Sequence, residues 1–119
     1  AADPRLGELA SASTPSSGVV VMGYCDDEGI QINGGRLGAA KGPTEIRRWL
    51  YRMTPHHGQA LKPFRDLGDL VPTPALSERH EAGRNLVREH LTKDLQVLCF
   101  GGGNDYAFAD GAGFLDVYK

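Results

Sequence analysis

The sequence predicts an α/β fold in which a parallel sheet is covered by helices on both faces. Three short runs, at residues 19–24, 64–71 and 96–100, have the length and apolar content of strands. Helical patterns separate these runs, so strands and helices alternate along the chain. Such alternation is typical of parallel sheets joined by right-handed crossovers. The first strand is the most apolar and therefore belongs in the middle, which gives the spatial order 2-1-3.

Two helices are predicted from proline at their starts and from the apolar residues that follow. Pro43 and Pro74 occupy the first helical positions, where the N–H that proline lacks would have no partner in any case. Four apolar residues of the first helix recur at i, i+3, i+4 and i+7 and form one stripe: Ile46, Trp49, Leu50 and Met53. The second helix runs to about Lys93, and residues 106–118 predict a further helix interrupted by glycine. The polar residues 25–42 are predicted to form a loop.

Composition and charge exclude several classes of function. The net charge is −2 and no run of Lys or Arg exceeds two residues, which argues against nucleic acid or an anionic membrane as partner. The longest apolar run, at residues 19–22, is far too short to cross a bilayer. Two cysteines, Cys25 and Cys99, do not make a disulfide framework and indicate a reducing, cytoplasmic location.

Two glycine-rich tracts follow strands at their carboxyl ends, where ligand sites lie in open parallel sheets. The first tract contains an acidic step at residues 26–28 and then reads Asn-Gly-Gly-Arg-x-Gly-Ala from Asn33 to Ala39. A Gly-Pro pair and an Ile-Arg pair come after it. The second tract, residues 101–105, reads Gly-Gly-Gly-Asn-Asp.

Together these tracts resemble the start of the ureohydrolases, the family of arginase, agmatinase and formimidoylglutamase, and they are most similar to formimidoylglutamase. The second tract resembles the family's Gly-Gly-Gly-His-Asp or Gly-Gly-Gly-His-Glu step. The resemblance implies the first half of an arginase-like three-layer fold, with an incomplete arginase-like domain at residues 19–119. Residues 1–18 are rich in Ala, Ser, Pro and Gly with little periodicity and are predicted to be an N-terminal arm or linker. The resemblance also implies a hydrolase that uses two manganese ions and a water-derived nucleophile to attack a small linear amidine, either formimidoylglutamate or a guanidino compound.

The resemblance gives roles to three residues. Asn104 stands where the family has its first metal ligand, a histidine, and an amide binds transition metals less well than an imidazole. Asn33 and Arg36 are implied to contact substrate, since a guanidinium can hold a carboxylate with two hydrogen bonds. Two alternatives stay open: Asn104 can cap the following helix or adopt a left-handed backbone, and Arg36 can pair with the nearby acids. Those acids, at residues 26–28, are expected to form a solvated turn.

The family's later Asp-x-His-x-Asp and Asp-x-Asp motifs, which supply the remaining metal ligands, are absent from this sequence. We therefore expect this chain to bind no manganese and to have no catalytic residue when it is alone. A catalytically dead homologue that binds a ligand or a partner is the alternative. A third interpretation is a nucleotide-binding module, although the glycines lack the spaced G-x-G-x-x-G pattern. The third strand should have an open edge, closed by self-association or by residues that complete the sheet.

Overall fold

The structure, a computed structural model, describes residues 4–56 and 61–118. Its sheet has three strands, β1 (Gly18–Tyr24), β2 (Phe64–Asp69) and β3 (Leu95–Gly101), in the spatial order β2-β1-β3. Both pairings are parallel, so the predicted fold class and strand order are confirmed. The second strand is shorter than predicted, because Gly68 takes a positive φ of 80° and bends the backbone near its end.

The described residues form four α-helices: α1 (Glu28–Ile32), α2 (Gly42–Leu50), α3 (Leu76–Thr92) and α4 (Tyr106–Val117). Helix α2 begins where Pro43 predicts a start. The stretch that was predicted to be a loop contains α1 and a short 3-10 turn, Ala39–Lys41. Helix α1 is only five residues long, too short to show an apolar period in the sequence. None of the described helices is long and apolar enough to cross a membrane.

Helices α3 and α4 cover one face of the sheet, which we call the α3–α4 face. Met22 and Tyr24 of β1 pack there against Tyr106 and Ala109 of α4, and none of the four is more than 2% exposed. The Tyr24 and Tyr106 rings stack with their centroids 4.2 Å apart. Aromatic pairs of this kind contribute about 0.5–1.5 kcal/mol beyond the burial of their surface. The α3–α4 face therefore holds a closely packed core.

Helix α2 covers the opposite face, which we call the α2 face. Val21, Phe64 and Phe100 form a second buried cluster, and Leu50 packs against it. Leu98 lies on the same face, because it is paired with Val21 across β1 and β3, yet it is 45% exposed. One short helix thus leaves part of this face uncovered.

The apolar stripe predicted for α2 does not pack against the sheet as a unit. Ile46 and Trp49 are 40% and 64% exposed. The sheet-facing side consists instead of Pro43, Arg47 and Leu50, which share the spacing i, i+4 and i+7. On this side Pro43 is fully buried, and the Arg47 guanidinium forms ion pairs with two carboxylates of β2.

The N-terminal residues lie beside β2 and the end of α2. The Ser11 N–H donates to the Phe64 carbonyl at 2.7 Å, and the Leu6 N–H donates to the Met53 carbonyl at 2.8 Å. These backbone bonds hold Leu6 and Ser11 against the end of α2 and β2.

Candidate functional site

The loops after β1 and β3 meet at the carboxyl ends of the strands and enclose a cleft of about 280 Å³, which we call the loop cleft. Its lining consists of glycine-tract backbone and a few side chains: Gly29, Ile30, Asn33, Gly35, Gly102, Gly103, Asn104 and Asp105. The fold therefore brings Asn33 and Asn104 into one site. Arg36 is exposed and lies outside this lining.

The side chain of Asn104 is left available to the loop cleft. Its backbone φ is not positive, because Asp94 is the one described non-glycine residue with such a φ. No side-chain hydrogen bond caps α4 at its N-terminus. The Asn104 carbonyl accepts from the Ala107 N–H at 3.0 Å, so its main chain is fixed by the first turn of α4. Neither of the two local roles considered from the sequence accounts for this asparagine.

Glycine is required where the second tract turns toward α4. Gly102 has a φ of 77°, a left-handed conformation that side chains disfavour. A Cβ at this position would also lie 2.9 Å from both the Tyr106 ring and the Tyr24 Cβ. The tract can therefore pack directly on the core and present the next residues to the loop cleft.

Asp105 inserts its carboxylate between the two tracts. A Cβ at Gly29 would lie 2.6 Å from the Asp105 Cγ, so the first loop approaches this carboxylate more closely than any other residue type would permit. His80 of α3 holds the other side, with its Nε2 2.5 Å from the Asp105 Oδ2. The His80 ring also meets Tyr106 edge-on, with centroids 4.9 Å apart.

The acidic step after β1 is paired rather than solvated, and the expectation of a solvated turn is wrong. The Arg79 Nε donates to the Asp26 Oδ2 at 2.8 Å, and its Nη2 donates to Glu28. Arg79 is only 8% exposed, so its buried charge requires these carboxylates. Burial alone would lower the pKa of Arg79, but hydrogen bonds and charge from Asp26 raise it. Within the described residues, Arg36 forms no ion pair with these acids.

Asp26 also accepts a hydrogen bond from the Tyr106 hydroxyl. Burial and this bond to a carboxylate raise the pKa of Tyr106, so the phenol stays protonated and remains a donor. The loop after β1 is thereby attached to α4 as well as to α3.

The sequence alone did not identify Arg79 and His80 as residues of the site, although the position of Arg79 in α3 was a signal. Gly83 and Val87 are buried residues of α3, and Arg79 lies four residues before the first and eight before the second, on the same side of the helix. A charged residue at such a position needs a buried partner of opposite charge. Asp26, the partner of Arg79, and Asp105, the partner of His80, are distant in sequence, so these pairs could not be predicted.

A two-metal centre does not fit the described residues alone. They contain no group of three or more His, Cys, Asp or Glu side chains that could hold a metal ion. The acid beside Asn104, Asp105, is already held by His80.

Comparison with known proteins gives relatives of one kind. No protein-family model matches the sequence. The formimidoylglutamases of Salmonella newport and Salmonella typhi are 42% and 41% identical to the chain over 101 residues, which is 84% of its length. The chain spans about a third, 32%, of the length of these curated relatives.

Solved structures agree with this result. Trypanosoma cruzi formiminoglutamase with Mn²⁺ matches the fold with a TM-score of 0.88 and 31% identity, covering 98% of this chain and 41% of that one. A variant of the same protein in which one asparagine is replaced by histidine, also with Mn²⁺, has a TM-score of 0.86 and 32% identity, covering 98% of this chain and 41% of its own.

By sequence and by fold the homologues of this chain are formimidoylglutamases, and one solved structural neighbour is an arginase superfamily protein. The chain corresponds to the N-terminal part of these homologues. The resemblance carried by the two glycine tracts is thus confirmed, and so is manganese as the metal found in solved relatives.

Proposed function

We propose that this chain forms one wall of the active site of a formimidoylglutamase and acts as part of a longer polypeptide. In the proposed reaction, water adds to the formimino carbon of formimidoylglutamate. The bond from that carbon to the glutamate nitrogen breaks, which releases glutamate and formamide. The observation that carries this proposal is the convergence of Asn33 and Asn104 on the loop cleft.

Asn104 is proposed to stand at a metal-ligand position. An amide oxygen can contact a hard cation, and no capping bond occupies this side chain. The T. cruzi relative was solved with Mn²⁺ as an asparagine-to-histidine variant, and we infer that the replaced asparagine corresponds to Asn104. The remaining ligands would come from outside these 119 residues, so the chain alone would bind manganese weakly and be inactive.

Asn33 and Arg36 are proposed to bind the substrate. Asn33 ends α1 and lines the loop cleft, where its amide can donate to a carboxylate. Arg36 follows in the same exposed loop, and its guanidinium would hold a carboxylate of the glutamate part with two hydrogen bonds. Agmatine has no carboxylate, so this arrangement favours formimidoylglutamate over agmatine.

The test is steady-state kinetics of the longer protein with Mn²⁺, using formimidoylglutamate, arginine and agmatine. We expect Asn104→Ala to lower kcat/KM by at least about 10-fold, the scale on which even the outer partners of metal ligands act. Arg36→Met should raise KM for formimidoylglutamate. Asn85→Ala is the matched control, because Asn85 is an exposed asparagine of α3 outside the loop cleft. Equal activity of the Asn104 and Asn85 variants would contradict the proposal.

A catalytically dead homologue that binds a ligand or partner is the second candidate, and Asn104 in place of histidine favours it. In that case the longer protein would bind formimidoylglutamate, measurable by calorimetry, without releasing glutamate. A cytoplasmic location is part of the same proposal and rests on the two free cysteines, Cys25 and Cys99.

A further inference from the structure

Two adjacent residues of α3 contact the two different loops of the cleft. Arg79 binds the loop after β1, and His80 binds the loop after β3. We propose that Arg79 and His80 are positioning residues that together fix the placement of Asn33 relative to Asn104. The catalytic consequence of this inference rests on the proposed function, whereas its structural consequence does not.

On the first side, Arg79 holds the segment that leads to Asn33. Its guanidinium pairs with Asp26 and with Glu28, the first residue of α1, and Asn33 is the residue that ends this helix. The same guanidinium donates to the carbonyl of Pro74 at 3.3 Å. A buried guanidinium with several partners leaves little freedom for α1 to shift.

On the second side, His80 holds the residue next to Asn104. Its contact with the Asp105 carboxylate is made by side chains that are only 18% and 22% exposed. No side-chain cap bond at the start of α4 competes for this carboxylate. The position of Asp105 therefore depends on α3.

Tyr106 joins the two sides. Its ring meets the edge of His80, and its hydroxyl donates to Asp26, which Arg79 also holds. Arg79 and His80 are consecutive residues, so their Cα atoms are about 3.8 Å apart. Both contacts therefore originate at nearly the same place on one helix of 17 residues. Moving one loop relative to the other requires breaking a contact to α3.

The structural test is amide hydrogen exchange of the longer protein, followed at residues 106–108, whose N–H groups donate to the carbonyls of residues 103–105. His80→Phe keeps an aromatic ring beside Tyr106 but loses the bond to Asp105, and we expect exchange there to become at least 10-fold faster. His80→Gln keeps a donor and should restore slow exchange. Arg84→Met is the matched control, because it breaks the 2.8 Å ion pair between α3 and Asp116 without touching either loop.

The kinetic readout separates positioning from general stability. A misplacement of about 1 Å can cost about 100-fold in rate, so His80→Phe should lower kcat far more than Arg84→Met does, with rescue by His80→Gln. Arg79→Lys is used on the first side, where full removal of the buried charge could prevent folding, and it should speed exchange at residues 28–33.

The outcomes are distinguishable. Unchanged exchange in His80→Phe, or failure of His80→Gln to restore it, would overturn the positioning role. If exchange changes as expected but the unmodified protein shows no turnover, the positioning role stands and the proposed function fails.

Discussion

The two faces of the sheet differ in how completely they are covered. On the α3–α4 face, Met22 and Tyr24 are each 1% exposed under two long helices. On the α2 face, Leu98 is 45% exposed, although its strand neighbour Val21 is 3% exposed. The same strands thus supply a complete core on one side and a partial one on the other, because nine residues of α2 cannot cover what 29 residues of α3 and α4 cover.

The uncovered part of the α2 face is an apolar depression of about 190 Å³. Val19, Val21, Leu50, Phe64 and Leu98 are among the residues that line it. In the described chain, β3 has β1 as its one strand neighbour. An apolar face beside an open strand edge favours association with more protein. We therefore expect either self-association or residues that complete the sheet, as the sequence predicted.

The largest expected effect is on the free energy of unfolding when the complete core is truncated. Met22→Ala should cost about 2–5 kcal/mol, the range for a fully buried large side chain. Leu98→Ala on the α2 face should cost less, about 1 kcal/mol, because Leu98 is already 45% exposed and loses fewer buried contacts. Urea denaturation of the 119-residue chain measures both. Similar losses for the two variants would show that the faces are equally packed.

A smaller loss is expected where the second glycine tract meets the α3–α4 core. Gly102→Ala forces a left-handed φ on alanine and brings its Cβ within 2.9 Å of Tyr24, so we expect a loss of about 1–3 kcal/mol. Gly111→Ala is the control, since a Cβ there meets nothing within 4 Å. In the interior of α4 that change should stabilise the chain by about 0.5–1 kcal/mol. Thermal unfolding that ranked the two variants the other way would contradict this packing.

Features of the fold that depend on local sequence could be predicted, whereas contacts between residues distant in sequence could not. Apolar runs and Pro43 predicted the strands and the start of α2, because those signals are local. The position of the two glycine tracts at strand ends indicated a ligand site there, and the family resemblance singled out Asn33 and Asn104. The contacts of Arg47, Arg79 and His80 could not be predicted, because each depends on a carboxylate distant in sequence. The Arg47 ion pairs with β2 lie on the side of α2 that faces the sheet, which the apolar stripe alone did not indicate.

A pH effect is expected from the Arg47–Asp66 ion pair on the α2 face. Burial would raise the pKa of Asp66, but hydrogen bonds from Arg47 and Tyr51 lower it below the ordinary value of 3.8. Because the folded-state pKa is the lower one, this stabilisation is complete above pH values near 3.8 and is lost as pH falls through the lowered pKa. Asp66→Asn should remove that part of the acid dependence in urea titrations between neutral and acid pH. An unchanged acid slope would show that the ion pair contributes no pH-dependent stability.

The smallest effect on stability is expected from a charge at the open part of the α2 face. Leu98→Lys should change the free energy of unfolding by no more than about 0.5 kcal/mol, as for other surface substitutions. It should nevertheless suppress self-association of the 119-residue chain in sedimentation at high concentration. A chain that is monomeric before the substitution would remove the expectation of self-association.

Turnover of formimidoylglutamate tests the central claim most directly, measured with Mn²⁺ side by side on two preparations. One is the 119-residue chain, verified by its mass of 12.8 kDa, and the other is the longer protein that contains it. We predict glutamate release by the longer protein and none by the 119-residue chain, even with Asn104→His, because one ligand cannot hold two ions. Turnover by the verified 12.8 kDa chain, or its absence from the longer protein, would contradict the account.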